Sequence, residues 1–93
     1  MDRVKLINAR KKIDLIDNGI FNLIRKRTQI VKYMMGLKKS RNQIIDHKRI
    51  NIILKNIKKK SIKHGVDTKI SLPIWKKIIW SYINYQKNNF KRK

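Results

Sequence analysis

Between Ala9 and Lys38 the chain reads ARKKIDLIDNGIFNLIRKRTQIVKYMMGLK, and within it Ile13, Ile16, Ile20, Leu23, Ile24, Ile30, Val31 and Met34 recur at steps of three and four. That is the period of an α-helix with one apolar stripe. The triplet Asp17-Asn18-Gly19 is a turn signal that would break the run into a helical hairpin. The stripe nevertheless passes from Ile16 to Ile20 without slipping. Gly and Asn inside a helix cost about 1 and about 0.7 kcal/mol, against about 1.5–3 kcal/mol for each large apolar side chain buried beyond them. The balance predicts one continuous helix from about Val4 to Lys38.

Such a helix is about 50 Å long. A chain of 93 residues is one domain, residues 1–93, and a globule of that size has a radius of gyration of roughly 12 Å and a diameter of about 32 Å. The helix overhangs a monomer and leaves its stripe bare. An intimate homodimer, in which a second chain covers the overhang, is therefore expected.

The remainder also reads as helix. KSRNQII after Lys38 is a polar connection, and Gly36 before it loosens the end of the first helix. Asp46 suits the N-cap of a second helix, with Ile50, Ile53, Leu54 and Ile57 on one face and His64-Gly65 as its stop. A third helix begins between Asp67 and Ser71. Ser71 is favoured as its cap because Pro73 suits a first turn. Trp75, Ile79, Tyr82 and Gln86 then fall on one line at i, i+4, i+7 and i+11. Taken alone, a glutamine there reads as partly exposed near a fraying end, and NNFKRK reads as a loose basic tail. No segment is strand-like, so the fold class is all-α, with three helices per chain.

Most catalytic chemistry is missing. There is no cysteine, which removes disulfides and thiol chemistry. The acids are the aspartates 2, 14, 17, 46 and 67; Asp14 and Asp17 sit one turn apart among lysines and read as surface ion-pair partners. His47 and His64 lack a neighbour at metal spacing, and no glycine-rich phosphate loop exists, so no metal and no cofactor is expected. No run is long and apolar enough for a membrane span and no signal-peptide core opens the chain, so a soluble cytoplasmic protein is expected. The net charge of +21 first suggests a nucleic-acid binder. Lys, Ile and Asn make up about half the chain, however, a bias an AT-rich genome imposes everywhere. The aromatics are not interleaved with the basic runs, and most of the charge reads as solvated surface.

What remains is cations and an amide. Arg27 and Lys38 are eleven residues apart, about 1100° of helical rotation, so they point the same way about 16 Å apart and two long side chains converge on one small anion. Arg10 lies seventeen residues before Arg27, about 25 Å away and roughly a quarter turn off that face. It cannot serve the same pocket within one chain unless the helix folds back, so a pocket served by Arg10, if there is one, is expected to belong to a partner molecule. Cations with one amide suit binding a small polyanion and stabilising charge that develops on oxygen.

At this point the chain resembles the all-helical chorismate mutase family, closest to its isochorismate-pyruvate lyase subgroup. The matching text is ARKKIDLIDNGIFNLIRKR, Lys38, DHKRI at 46–50, HGVD at 64–67 and IIWSYINYQ at 78–86. The resemblance implies the type II fold: three helices per chain, two chains intertwined, and two shared pockets for a dicarboxylate. Arg27, Lys38, Arg49 and Gln86 would come from one chain and Arg10 from its partner. The arginines would hold the substrate carboxylates, and Lys38 and Gln86 would donate to the enolpyruvyl ether oxygen in a pericyclic reaction. Family mutases usually carry Glu directly after the second-helix arginine, where it accepts from the chorismate C4 hydroxyl; here the residue is Ile50. Tyr82, where mutases often have a small hydroxyl residue, is lyase-like, as is the short Lys38 to Arg49 gap. Asp46 points to the mutase, since it lies where mutases often place an aspartate that could serve as the acceptor. The resemblance thus implies isochorismate-pyruvate lyase first and chorismate mutase second. A basic nucleic-acid-binding protein is the alternative from another class.

Overall fold

In a computed structural model, which describes residues 2–91, the chain is a succession of helices: α1 (Arg3–Leu37), a short 3₁₀ turn (Arg41–Gln43), α2 (His47–His64) and α3 (Thr68–Asn89). Among the described residues there is no strand, and no helix is long and apolar enough to cross a membrane. The chain divides into two compact units, with the boundary after Lys32.

The first unit is the greater part of α1. Asp2 starts the helix: its carboxylate accepts from the Lys5 amide at 3.1 Å and its carbonyl from the Leu6 amide at 3.1 Å, the arrangement that satisfies free first-turn donors. The helix runs through Asp17-Asn18-Gly19 without a break, as the unslipped stripe predicts. No residue of α1 is buried within one chain. Ile13, Ile16, Ile20, Leu23 and Ile30 are all more than half exposed. A methyl group added at Gly19 meets nothing within 4 Å, so Gly19→Ala should raise stability by about 1 kcal/mol through helix propensity, measured as a shift in denaturant midpoint. A loss of stability instead would mean that another molecule lies against that side of α1.

The second unit carries the core. Ile44 from the connection and Ile79 and Ile83 from α3 are buried, with Ile45, Ile50, Ile53, Leu54 and Phe90 packed against them. Asp46 caps α2, accepting from the Arg49 amide at 3.0 Å. Gly65, at φ 71° and ψ 27°, ends it, and the Val66 amide reaches back to the Ser61 carbonyl at 2.9 Å. The left-handed residue that a C-terminal glycine supplies without strain is what this closure needs.

Two sequence expectations are corrected here. The cap of α3 is Asp67, whose carboxylate accepts from the Lys69 amide at 2.8 Å, so Pro73 lies inside the helix. Ser71 has another use. It is buried, and its hydroxyl pairs with that of Ser61 at 2.6 Å across the α2–α3 contact, where an unpaired hydroxyl would be costly. Nor is the chain loose after Lys87: α3 continues to Asn89 and Phe90 packs on the core, whose apolar contact offsets the cost of ordering the end. Arg92 and Lys93 of the expected basic tail lie outside the described residues.

Candidate active site

The end of α1 and the end of α3 contribute the two groups that define the site. Lys38 follows the last residue of α1, its amide closing on the Met35 carbonyl at 3.2 Å. Gln86 stands in the last turn of α3, three residues after Ile83 and seven after Ile79, and therefore shares their buried face. Lys38 Nζ donates to Gln86 Oε1 at 2.7 Å, and Gln86 Nε2 donates to the Tyr82 carbonyl at 3.3 Å. Gln86 is only 6% exposed. It is not the partly exposed end residue that its position alone suggests, because the Lys38 ammonium and the Tyr82 carbonyl satisfy the amide and allow it to be buried.

This pairing leaves useful capacity. An ammonium has three protons and a carboxamide two, so each retains a donor beyond the bonds just described. Two donors side by side, one of them charged, suit an oxygen that becomes more negative during a reaction.

Burial pushes the Lys38 ammonium below its ordinary value, and the Asp46 carboxylate opposes that by pulling it back up. Asp46 thus has two tasks, the cap of α2 and the local counter-charge of Lys38. Because the folded-state value is lowered, folding penalises the charged form. The penalty is full below the folded-state pKa and disappears as pH rises through it toward the unfolded value, so this group makes stability increase with pH in that alkaline window. Asp46→Asn should move the Lys38 titration, followed by side-chain NMR, to still lower pH; an upward or absent movement would show that Asp46 does not act on the ammonium.

The other expected site residues divide between the two units. In the second, Arg49 is exposed in the first turn of α2, Tyr82 is half-buried on α3, and Ile50 is half-buried and packs against the Ile44, Ile79 and Ile83 cluster. In the first, Arg10 is exposed and Arg27 half-buried on α1. The structure therefore joins Lys38 to Gln86 and Gln86 to the Tyr82 carbonyl, with the Asp46 carboxylate near enough to act on the Lys38 charge.

Two residues of the connection escape the sequence reading. Gln43 Oε1 accepts from the amides of Lys39 at 2.6 Å and Ser40 at 3.2 Å, folding the segment after Lys38 into a closed turn. The Ser40-x-x-Gln43 spacing is a capping signature that could have been read. The Arg41 guanidinium donates to the Lys87 carbonyl at the end of α3; no local pattern announces that contact.

Residues 9–87 match the family model described as chorismate mutase type II. A chorismate mutase of Methanocaldococcus jannaschii is 37% identical over 76 residues, covering 81% of this chain and 77% of the relative. No solved structure matches significantly. A match that runs from residue 9 to residue 87 reaches into all three helices and takes in both members of the Lys38–Gln86 pair, and on that ground the chain belongs to the chorismate mutase type II family.

Proposed function

We propose that this protein is a chorismate mutase, converting chorismate to prephenate in two pockets shared by a homodimer. The observation that carries the proposal is the Lys38–Gln86 pair, a half-buried charged donor held against a buried neutral one. In the reaction the ether bond between the enolpyruvyl group and the ring breaks while a carbon–carbon bond forms, and no proton or electron is exchanged with the protein. The ether oxygen gains negative charge as its bond lengthens. Donors already fixed at that oxygen stabilise the transition state more than the ground state. Arg27 and Arg49 of one chain and Arg10 of the other hold the two carboxylates and select a compact conformer, so that the reacting carbons start close together.

The homodimer is supported by the bare stripe of α1. Ile13, Ile16, Ile20, Leu23 and Ile30 are more than half exposed within one chain, and covering what remains of each is worth on the order of 1 kcal/mol or more. A second copy offers the same stripe in return, as a two-fold interface requires.

Isochorismate-pyruvate lyase is the second reading, favoured by Ile50 in place of the usual glutamate and by Tyr82. The relative named chorismate mutase and two features of the chain favour the mutase instead. Ile50 packs against the core cluster, which accounts for an aliphatic side chain there whatever the substrate. Asp46 lies close enough to act on Lys38, and so offers an acceptor for the C4 hydroxyl of chorismate. Purified protein given chorismate should form prephenate, and given isochorismate should form little salicylate and pyruvate. Efficient turnover of isochorismate alone would overturn the mutase reading.

A further inference from the structure

The segment that delivers Lys38 is held to α3 at two successive residues. Lys38 Nζ reaches the Gln86 side chain at 2.7 Å, and three residues later the Arg41 guanidinium reaches the Lys87 carbonyl. Between them Gln43 Oε1 gathers the amides of Lys39 and Ser40, and just beyond, Ile44 is buried against Ile79 and Ile83. The Lys87 carbonyl is among the last four of α3, which ends at Asn89, and such carbonyls have no partner inside the helix. A guanidinium there satisfies one of them and meets the negative end of the helix dipole. Among the described residues, the Lys38–Gln86 bond and the apolar contacts around Ile44 also join the last turn of α3, which holds Gln86, to the segment that holds Lys38.

We propose that Arg41 is a positioning residue for catalysis: by fastening the Lys38 segment to the C-terminal turn of α3, it holds the Lys38 ammonium and the Gln86 amide in one fixed arrangement. Arg41 touches no reacting atom. Its contribution is preorganisation, since two donors that must first find each other lose much of their advantage. The proposal rests on the mutase reading for its catalytic part, and on the hydrogen bonds alone for its structural part.

Arg41→Met keeps the aliphatic stem and removes the donors, whereas Arg41→Lys keeps the charge and a donor group without the planar fork. Arg41→Met should lower kcat for chorismate by about ten- to a hundredfold with KM little changed, and should return the Lys38 titration, followed by NMR, toward that of an exposed lysine. Arg41→Lys should recover part of both. A folded Arg41→Met protein, judged by an unchanged helical circular dichroism signal, in which either kcat or the Lys38 titration stays as in the parent would overturn the proposal. Unfolding of both variants would also overturn it, making Arg41 a residue of stability alone. If the parent protein does not turn over chorismate, the mutase reading fails by itself, and the Lys38 titration still decides whether Arg41 holds the pair.

Discussion

Replacing Gln86 with glutamate should lower chorismate turnover by about a hundred- to a thousandfold near neutral pH and restore much of it in acid. The size follows from what removing one preorganised donor costs where charge develops on oxygen. The pH dependence follows from the surroundings. Gln86 is buried and accepts from the Lys38 ammonium; a carboxylate there would pair with that ammonium and could only accept, leaving the ether oxygen with one donor fewer. Burial raises the pKa of such a carboxyl and the neighbouring cation lowers it, so protonation and recovery come as pH falls toward the ordinary glutamate range of about 4.3. Gln86→Leu should be as slow at neutral pH and show no recovery in acid. Equal activity of the glutamate variant and the parent at pH 7 would remove Gln86 from the chemistry.

A charge placed in the α1 stripe should have an effect of similar size on assembly. Ile20 is 52% exposed in a single chain, and on a monomer Ile20→Asp would change stability by no more than about 0.5 kcal/mol. In the proposed dimer the carboxylate is trapped between two apolar stripes, where an unpaired charge costs several kcal/mol. Sedimentation should then show half the parent mass at the same concentration. The melting temperature should fall and chorismate turnover should vanish, because Arg10 no longer reaches the other chain's pocket. Complementation adds a stricter test. Arg10→Ala and Gln86→Ala chains, each inactive alone, should recover about a quarter of parent activity on mixing and refolding, since half the dimers are mixed and each has one pocket with both native residues. No recovery would mean that Arg10 and Gln86 of different chains do not serve the same pocket.

The helical class, the continuity of α1 and both ends of α2 were legible because they depend on local physics. Period and propensity carried α1 across Asp17-Asn18-Gly19, Asp46 supplied the cap of α2, and Gly65 its left-handed end. The start of α3 was misread for a reason equally physical. Ser71 and Asp67 both make good caps, and what separates them is a hydroxyl ten residues before Ser71: Ser61 claims Ser71 across the α2–α3 contact. Gln86 marks the same divide. Its place on the line with Ile79 was visible in the sequence, yet its burial depends on an ammonium 48 residues away.

From the sequence alone came what repeats along one helix: the stripe, the caps, and the positions of Arg10, Arg27, Lys38, Arg49 and Gln86 at spacings that resemble a family's pocket. Tertiary structure decided which polar groups meet. Lys38 with Gln86, Arg41 with Lys87 and Ser61 with Ser71 are pairings between distant segments. A buried polar group requires a partner, and only packing brings that partner within reach.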